Sequence, residues 1–184
     1  NAFYFDTPLS TAEVASTFME DFVLEHLERN ASDDLKLALM IKRLDEDVST
    51  IMRQVACYRF EQDLHAMCSK EGYVSKDQIG QIFQKNMQDY MGEGVKYDPG
   101  SENWWVYWSH IRAFFYVYSY ASGLLISKAL QQKYKENAGF MAQIKEFLSA
   151  GTSDSPYNIF SKMGIEIKDS SFWLKGLSQV ENNL

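Results

Sequence analysis

Residues 33–69 form the stretch that decides the fold, DDLKLALMIKRLDEDVSTIMRQVACYRFEQDLHAMCS. Apolar side chains recur in it at alternating spacings of four and three, at Leu37, Ile41, Leu44, Val48, Ile51, Val55 and Tyr58. This period is that of one continuous face of an α-helix. The stretch therefore predicts one long helix, capped by Ser32 or Asp33, which runs to about Ser69 before Gly72 ends it.

Start and stop signals divide the rest of the chain into shorter helices. Ser10-Thr11-Ala12-Glu13 and Ser75-Lys76-Asp77-Gln78 have the spacing of capping boxes, which open helices. Pro156 suits the first turn of a helix, and Gly164 suits a helix end. The predicted helices cover about 10–29, 75–91, 121–137, 140–148, 156–163 and 171–180. The chain is thus predicted to be all-α, a compact multi-helix orthogonal bundle that forms a single domain over residues 1–184.

The composition excludes several classes of function. The 184 residues are 46% hydrophobic, which is enough for a sizeable core, and the net charge of −7 disfavours a nucleic-acid or basic membrane-binding surface. No apolar run approaches the roughly twenty residues that span a bilayer. Cys57 and Cys68 lie eleven residues apart in one helical pattern, as reduced core thiols of a cytoplasmic protein would. We therefore expect a cytoplasmic protein with neither nucleic acid nor membrane as a partner.

The first predicted helix carries carboxylates on an otherwise apolar surface. One narrow stripe of it consists of Glu13, Ser16, Glu20, Leu24 and Leu27. The plainly solvated strip consists of Asp21, Glu25 and Glu28. A helix that is apolar on nearly every side is a buried helix, so the stripe with Glu13 and Glu20 is predicted to face protein.

A buried carboxylate must be paired, hydrogen-bonded, protonated or bound to a metal, because desolvating it alone costs several kcal/mol. For Glu13 the alternatives are the third residue of the capping box and a metal ligand. For Glu20 they are a group that supports such a ligand and a salt bridge to an arginine of the next helix, Arg43, Arg53 or Arg59. One helix alone does not decide between them.

An aromatic block follows the glycine-bearing segment 92–103. Residues 105–123 read WVYWSHIRAFFYVYSYASG, and the tyrosine hydroxyls and the histidine in it need partners if they are buried. The block is either an amphipathic aromatic wall of the core or part of a functional site.

Three stretches together resemble the oligoendopeptidase F and thimet oligopeptidase family of zinc peptidases. Residues 12–17 followed by Glu20 are similar to the family's Glu-x-x-Ser segment, and residues 105–123 resemble its His…Phe-Tyr-x-Tyr-x-Tyr-Ala-x-Gly segment. Residues 151–156 and 163–165 are similar to its Gly-x-Ser-x-x-Pro…Gly pattern. The matches occur in the family's order, span nearly the whole chain and are closer to the oligoendopeptidase F branch.

The resemblance implies a metal-binding role for the first helix. Glu13 would be a ligand of one zinc ion per complete active site, with Ser16 and Glu20 supporting it. The family's His-Glu-x-x-His motif is missing, because no two of the three histidines are four apart, at His26, His65 and His110. The motif is expected a short distance before residue 1, so the chain resembles the C-terminal part of a zincin-type catalytic domain.

The resemblance also implies a substrate side for the aromatic block. His110 would donate to the substrate backbone or to the oxyanion. Tyr118 is the best candidate for the oxyanion-stabilising hydroxyl, and Tyr116 is the next. The residues expected to contact the substrate are Tyr97, Arg112 and Tyr120, where Arg112 stands at a position at which the oligoendopeptidase branch often has tyrosine.

The implied function is that of the C-terminal part of a zinc metallo-endopeptidase that hydrolyses oligopeptides. Its partners would be oligopeptide substrates and the N-terminal remainder of the same polypeptide. Alone, the chain is expected to be inactive and to bind zinc weakly at most. The alternative is a non-catalytic helical interaction or scaffold module, in which Glu13 is a cap and the tyrosines form a binding wall.

Overall fold

The computed structural model describes residues 2–182 and is helical over most of them. The α-helices are α1 (Val14–Arg29), α2 (Asp33–Val48), α3 (Gln54–Glu71), α4 (Lys76–Met91), α5 (Tyr118–Glu136), α6 (Met141–Ala150), α7 (Pro156–Lys162) and α8 (Ser170–Glu181). Short 3-10 segments cover Leu9–Thr11, Ser101–Val106, Ser109–Ala113 and Ala138–Phe140. Residues 2–182 contain no β-strand, so the all-α prediction is confirmed. Within the same range, every helix is too short or too polar to cross a membrane.

Contacts divide the chain into two units, each with its own hydrophobic core. Unit 1 comprises Asn1–Asp47 and Ser122–Leu184, and unit 2 comprises Val48–Ala121. The core of unit 1 is built around Phe18, Leu130, Ile144, Phe160 and Phe172. The core of unit 2 is built around Cys57, Phe60, Phe83, Met87 and Val117. The single domain over residues 1–184 stays a prediction.

The long helix predicted over residues 33–69 is present. It runs through α2, a π-helical turn at Ser49–Arg53 and α3. Its burial is less continuous than predicted, because Leu37 and Ile41 are more than half exposed whereas Ile51 is buried. Periodicity identifies which face is apolar, but not what covers that face. For the same reason Cys68, predicted to be a core thiol, is exposed, and of the two free thiols only Cys57 is buried.

Two of the predicted helix starts are confirmed and one is wrong. The Ser75 hydroxyl accepts from the Gln78 amide and the Gln78 side chain accepts from the Ser75 amide, which completes a capping box. Ser155 caps α7, with proline in its first turn. Ser10 opens no helix of this kind, because a 3-10 turn forms there, in which the Thr11 amide and hydroxyl both donate to the Pro8 carbonyl. As a result, α1 begins only at Val14.

A buried ionic cluster joins α1, α2 and α5 within unit 1. The Lys128 ammonium lies 2.9 Å from a carboxylate oxygen of Asp21 and 3.1 Å from one of Asp47. Arg43 adds ion pairs of 3.6 Å to Asp21 and 3.3 Å to Glu28. Asp21 was predicted to be solvated, and this is wrong, because only 7% of it is exposed. Charges removed from water persist only when they are paired, so the cluster ties the three helices together.

The same cluster sets which side of α1 faces the core. Val14 and Phe18 are buried. The adjoining apolar side chains Met19 and Val23 are more than half exposed, and so is Leu27. Glu20 is exposed as well, which corrects the prediction that its stripe of α1 is buried. The helix is therefore buried along one side, and that side carries an ion pair in place of an apolar residue.

Replacing Lys128 by methionine is expected to leave Asp21 and Asp47 buried without their shared cation. Breaking a buried pair in this way costs about 3–5 kcal/mol, so the free energy of unfolding should fall by about that much. Lys135→Met is the matched control, because its pair with Glu25 is half exposed and such pairs contribute about 1 kcal/mol or less. Urea unfolding followed by circular dichroism measures both, and equal losses would contradict the buried role of Lys128.

A pH dependence follows from Asp47. Burial is the largest effect on Asp47 and raises its pKa, while the nearby Lys128 lowers it. Two smaller effects follow: the charge of Asp21 raises the pKa and that of Arg43 lowers it. Because the folded chain then holds this proton more tightly than the unfolded chain, stability from Asp47 is present at low pH and lost as pH rises.

Asp47→Asn removes that titration. The stability of the variant relative to the natural chain should therefore rise as the pH increases above about 3.9, the ordinary pKa of an aspartate. Urea midpoints at a series of pH values measure it, with the exposed Asp45→Asn as the control for loss of one surface charge. A stability difference that falls as the pH increases would show that Lys128 lowers the pKa of Asp47 by more than burial raises it.

Candidate functional site

Glu13 occupies the N-cap position of α1 and is half-buried within unit 1. The Ser16 hydroxyl lies 3.0 Å from the Glu13 carbonyl oxygen and 3.5 Å from its carboxylate. The Thr17 hydroxyl donates to the same carbonyl at 2.8 Å. Two of the residues predicted to act together, Glu13 and Ser16, are therefore in contact. Because α1 has Glu13 as its N-cap, Glu13 is not the third residue of a helix that opens at Ser10, and the capping-box alternative for it is wrong.

The start of α1 packs tightly against a glycine of α5. A Cβ atom at position 123 would lie 2.8 Å from the Glu13 Cβ and 3.2 Å from the Glu13 carbonyl carbon. Real Cβ atoms do not approach other atoms so closely, and the contacting atoms include main chain that has little room to move. Gly123 therefore permits the approach of Glu13 to α5, and a larger residue would displace the carboxylate.

Among the described residues of unit 1, Glu20 forms no ion pair with Arg43, the predicted partner in that unit. Arg43 pairs with Asp21 and Glu28 instead. Glu20 acts electrostatically on Lys42 of α2, whose pKa is raised mainly by its hydrogen bond to Glu46 and to a smaller extent by Glu20. The predicted support of Glu13 by Glu20 stays a prediction. On this helix, the Ser16 hydroxyl contacts the Glu13 carboxylate and the Thr17 hydroxyl contacts its carbonyl.

An aromatic cluster around His110 forms within unit 2. The Nε2 atom of His110 lies 3.0 Å from the Tyr120 hydroxyl oxygen. The imidazole ring is 5.0 Å from the ring of Tyr116 and 5.5 Å from that of Tyr120, which it meets edge to face. The two tyrosine rings are 5.7 Å apart. The structure thus brings together His110, Tyr116 and Tyr120, three of the residues singled out from the sequence.

Tyr118 takes a different direction from its two tyrosine neighbours. It lies at the start of α5 with 37% of its surface exposed, and its ring meets that of Tyr58 edge to face at 6.4 Å. Successive helical residues point about 100° apart, so Tyr116, Tyr118 and Tyr120 need not share a face. The hydroxyl in contact with the imidazole belongs to Tyr120, which the sequence had assigned to substrate binding only.

Arg112 and Tyr97 are both engaged with unit 2 itself. The Arg112 guanidinium donates to the carbonyl oxygens of Trp108 and Val106, and so closes its own 3-10 segment. Tyr97 packs on the core of unit 2, and burial raises the pKa of its hydroxyl, to which Tyr90 adds. Their substrate contacts stay predictions, because the contacts that the structure shows for both are with other residues of unit 2.

Sequence reasoning missed Glu61, the buried carboxylate of unit 2. Only 1% of it is exposed, and it accepts a hydrogen bond from the Phe115 amide at 2.5 Å. Burial raises the pKa of Glu61, and the Phe115 amide and His65 partly offset this. The signal was available, since Glu61 lies four residues after Cys57 and three before Leu64 on the apolar face of α3.

The backbone that Glu61 contacts is unusual. Phe114 and Phe115 have φ angles of +45° and +57°, and they are the only non-glycine residues with positive φ in the described part of the chain. A side-chain-bearing residue in this region costs of order 1–3 kcal/mol and persists only where its surroundings hold it. The turn separates the 3-10 segment with His110 from α5.

In a comparison with protein families, residues 1–179 match the model described as peptidase family M3. The chain belongs to peptidase family M3. This confirms the resemblance to the oligoendopeptidase F and thimet oligopeptidase family, which the sequence motifs had indicated.

Curated relatives place this M3 chain near the oligoendopeptidase F branch. An oligoendopeptidase F homolog from Borreliella burgdorferi is 28% identical over 89% of this chain and 28% of its own length. An oligoendopeptidase F homolog from Lactococcus lactis subsp. lactis is 27% identical over 98% of this chain and 30% of its own length. Oligopeptidase PepF of Bacillus subtilis is 26% identical over 89% of this chain and 25% of its own length. The M3 chain spans less than a third of these relatives, and no solved structure matches it.

A candidate metal ligand of the M3 chain is Glu13. Among residues 2–182, no three His, Cys, Asp or Glu side chains come together in an arrangement that could hold a metal ion. A catalytic zinc takes three protein ligands and keeps a further position for water or substrate. Glu13 suits one such ligand, because its carboxylate is half-buried, lies beside a hydroxyl donor and is held in place by the contact with Gly123.

Tyr120→Phe is expected to remove the hydrogen bond between the Tyr120 hydroxyl and His110. One such bond contributes about 0.5–1.5 kcal/mol, and its loss should also shift the ¹⁵N resonance of His110 Nε2. Tyr118→Phe is the matched control, since it removes a hydroxyl from the same helix but leaves the His110 resonance in place. An Nε2 shift of the same size in both variants would contradict the pairing of His110 with Tyr120.

Proposed function

We propose that this chain is the C-terminal portion of a zinc metallo-endopeptidase that hydrolyses peptide bonds in oligopeptides. The observation that carries the proposal is the family match over residues 1–179, together with the names of the relatives, oligoendopeptidases and oligopeptidases. That match supports the peptidase interpretation over a helical scaffold module. The two free cysteines support a cytoplasmic location, where thiols stay reduced.

Glu13 is the proposed zinc ligand of this chain. Ser16 orients its carboxylate through its hydroxyl, and Gly123 allows the residue to lie close against α5. Glu20 is proposed to act at longer range, through its charge. The chemistry that a zinc ion supplies in such a site is polarisation of the peptide carbonyl and activation of water. The two histidine ligands and the general base would come from the His-Glu-x-x-His motif in the N-terminal remainder of the polypeptide.

His110 and the tyrosines are the proposed donors to substrate and oxyanion. A neutral imidazole or phenol donates a hydrogen bond without adding negative charge, and one such donor is worth about 2.7–4 kcal/mol in the transition state. The Tyr120 hydroxyl at Nε2 fixes the orientation of the His110 ring. Tyr118 is the more exposed residue and is proposed as the oxyanion donor, with Tyr116 as the alternative.

The remaining proposed contacts concern the peptide chain of the substrate. Arg112 is exposed and Tyr120 half-buried, so both present part of their surface to a bound peptide. Tyr97 is proposed to contribute through the edge of its ring. These roles are supported only by the family resemblance and by position in the aromatic block.

The test uses the full-length polypeptide that contains the His-Glu-x-x-His motif. Glu13→Gln should lower kcat/KM for a quenched oligopeptide by more than about 100-fold, the upper end of the effect of groups that merely support a ligand, and should lower the bound zinc. Ser16→Ala should lower kcat/KM by about 10- to 100-fold. Glu146→Gln, which removes an exposed charge from α6, is the matched control and should change neither quantity.

The 184-residue chain alone completes this test. Because it lacks two ligands and the base, it should give no cleavage that a chelator abolishes. Chelator-sensitive cleavage by the purified chain, or full zinc content and activity in Glu13→Gln, would overturn the proposal.

A further inference from the structure

Glu61 holds a carboxylate inside unit 2 that the peptidase roles above do not use. It lies on α3 with 1% of its surface exposed. Its Oε2 atom accepts from the Phe115 amide, and its Oε1 atom has no hydrogen-bond partner in the described part of the chain. Burying a carboxylate costs free energy unless it is hydrogen-bonded or paired. Here the hydrogen-bond donor is the Phe115 amide, in the turn before α5.

That turn depends on groups from outside itself. Phe114 and Phe115 both have left-handed φ angles, which neighbouring structure must maintain. Two further side chains of α3 contact the turn, since the His65 ring is 5.2 Å from that of Phe115 and the Tyr58 ring is 5.4 Å from it. Glu61 supplies the hydrogen bond and these rings supply the packing, so α3 holds the turn in place.

The turn decides which side chains His110 meets. In a continuous α-helix, residues ten apart are separated by about 15 Å along the axis, because each residue rises 1.5 Å. His110 and Tyr120 are ten apart, yet the Nε2 atom and the hydroxyl oxygen are 3.0 Å apart. The chain between residues 110 and 120 is therefore not a straight helix, and the left-handed residues Phe114 and Phe115 lie in the turn between the two side chains.

We propose that Glu61 is a positioning residue for the peptidase reaction. By accepting the Phe115 amide, it keeps the 114–115 turn in the left-handed form that sets His110 against Tyr120 and Tyr116. It acts through the backbone and touches no substrate. The proposal rests on the function proposed above for His110, and goes beyond it by naming the group on which the His110 geometry depends.

The requirement is for an acceptor at this place, not for a charge. An apolar residue of similar length would fit the core but leave the Phe115 amide buried without a partner. A glutamine offers an amide oxygen at nearly the same position and keeps the bond. This difference separates positioning from bulk packing.

The experiment compares Glu61→Met with Glu61→Gln in the 184-residue chain by NMR. In Glu61→Met the nuclear Overhauser contact between the His110 and Tyr120 rings should be lost, and in Glu61→Gln it should be kept. Met87→Ala is the control for general destabilisation of the unit 2 core, and should keep the contact. A contact that survives in Glu61→Met, or that is lost equally in Met87→Ala, would overturn the proposal.

A second variant covers the case in which Glu61→Met does not fold. Phe114 is 74% exposed, so Phe114→Gly relieves a left-handed φ with little loss of packing. The double variant Glu61→Met/Phe114→Gly should then fold and recover the His110–Tyr120 contact. A double variant that stays unfolded, or folds without the contact, would show that the effect of Glu61 is not exerted through the turn.

Kinetics in the full-length polypeptide separate this proposal from the function on which it rests. Glu61→Met should lower kcat by about 100-fold, as a misplacement of about 1 Å can, whereas Glu61→Gln should stay within about threefold of the natural enzyme. If the ring contact is lost but kcat is unchanged, His110 has no catalytic part and the proposed function of His110 fails. If the ring contact persists, the positioning role of Glu61 fails.

Discussion

The ammonium group of Lys128, shared between Asp21 and Asp47, is the constraint on which the arrangement of unit 1 depends. Charges in a low-dielectric interior are tolerated only when they are paired, so α1, α2 and α5 must keep the spacing that lets the three groups meet. This fixes the rotation of α1, because Asp21 has to face inward. With Asp21 inward, Met19 and Val23 face outward and Glu13 comes to rest against Gly123.

Unit 2 uses a buried carboxylate in a different way. Glu61 pairs with a backbone amide, and the backbone it holds is the left-handed turn at Phe114 and Phe115. In both units an ionisable side chain is buried at a position where an apolar residue would cost less free energy to bury. In both, it holds a segment that carries a candidate functional side chain. Buried polar groups of this kind make one arrangement specific, because a partly satisfied alternative is costly.

Membership of a peptidase family connects these two local arrangements with the proposed function. The chain belongs to peptidase family M3 and spans less than a third of the length of the relatives it matches. The acidic residue on α1 belongs to unit 1 and the aromatic cluster belongs to unit 2. Each carries one half of the chemistry proposed, a ligand with its hydroxyl support in one unit and hydrogen-bond donors with a fixed imidazole in the other.

Local periodicity, capping chemistry and motif order were enough to predict the helical class, the long helix from residue 33 onward, the capping box at Ser75 and the family. The packing of the helices was needed to show that Asp21 is buried and Glu20 exposed, and that the Tyr120 hydroxyl is the one in contact with His110. Periodicity shows that a face is apolar but not which side of it another helix covers. Likewise, sequence spacing carries no sign of the left-handed turn that brings together side chains ten residues apart.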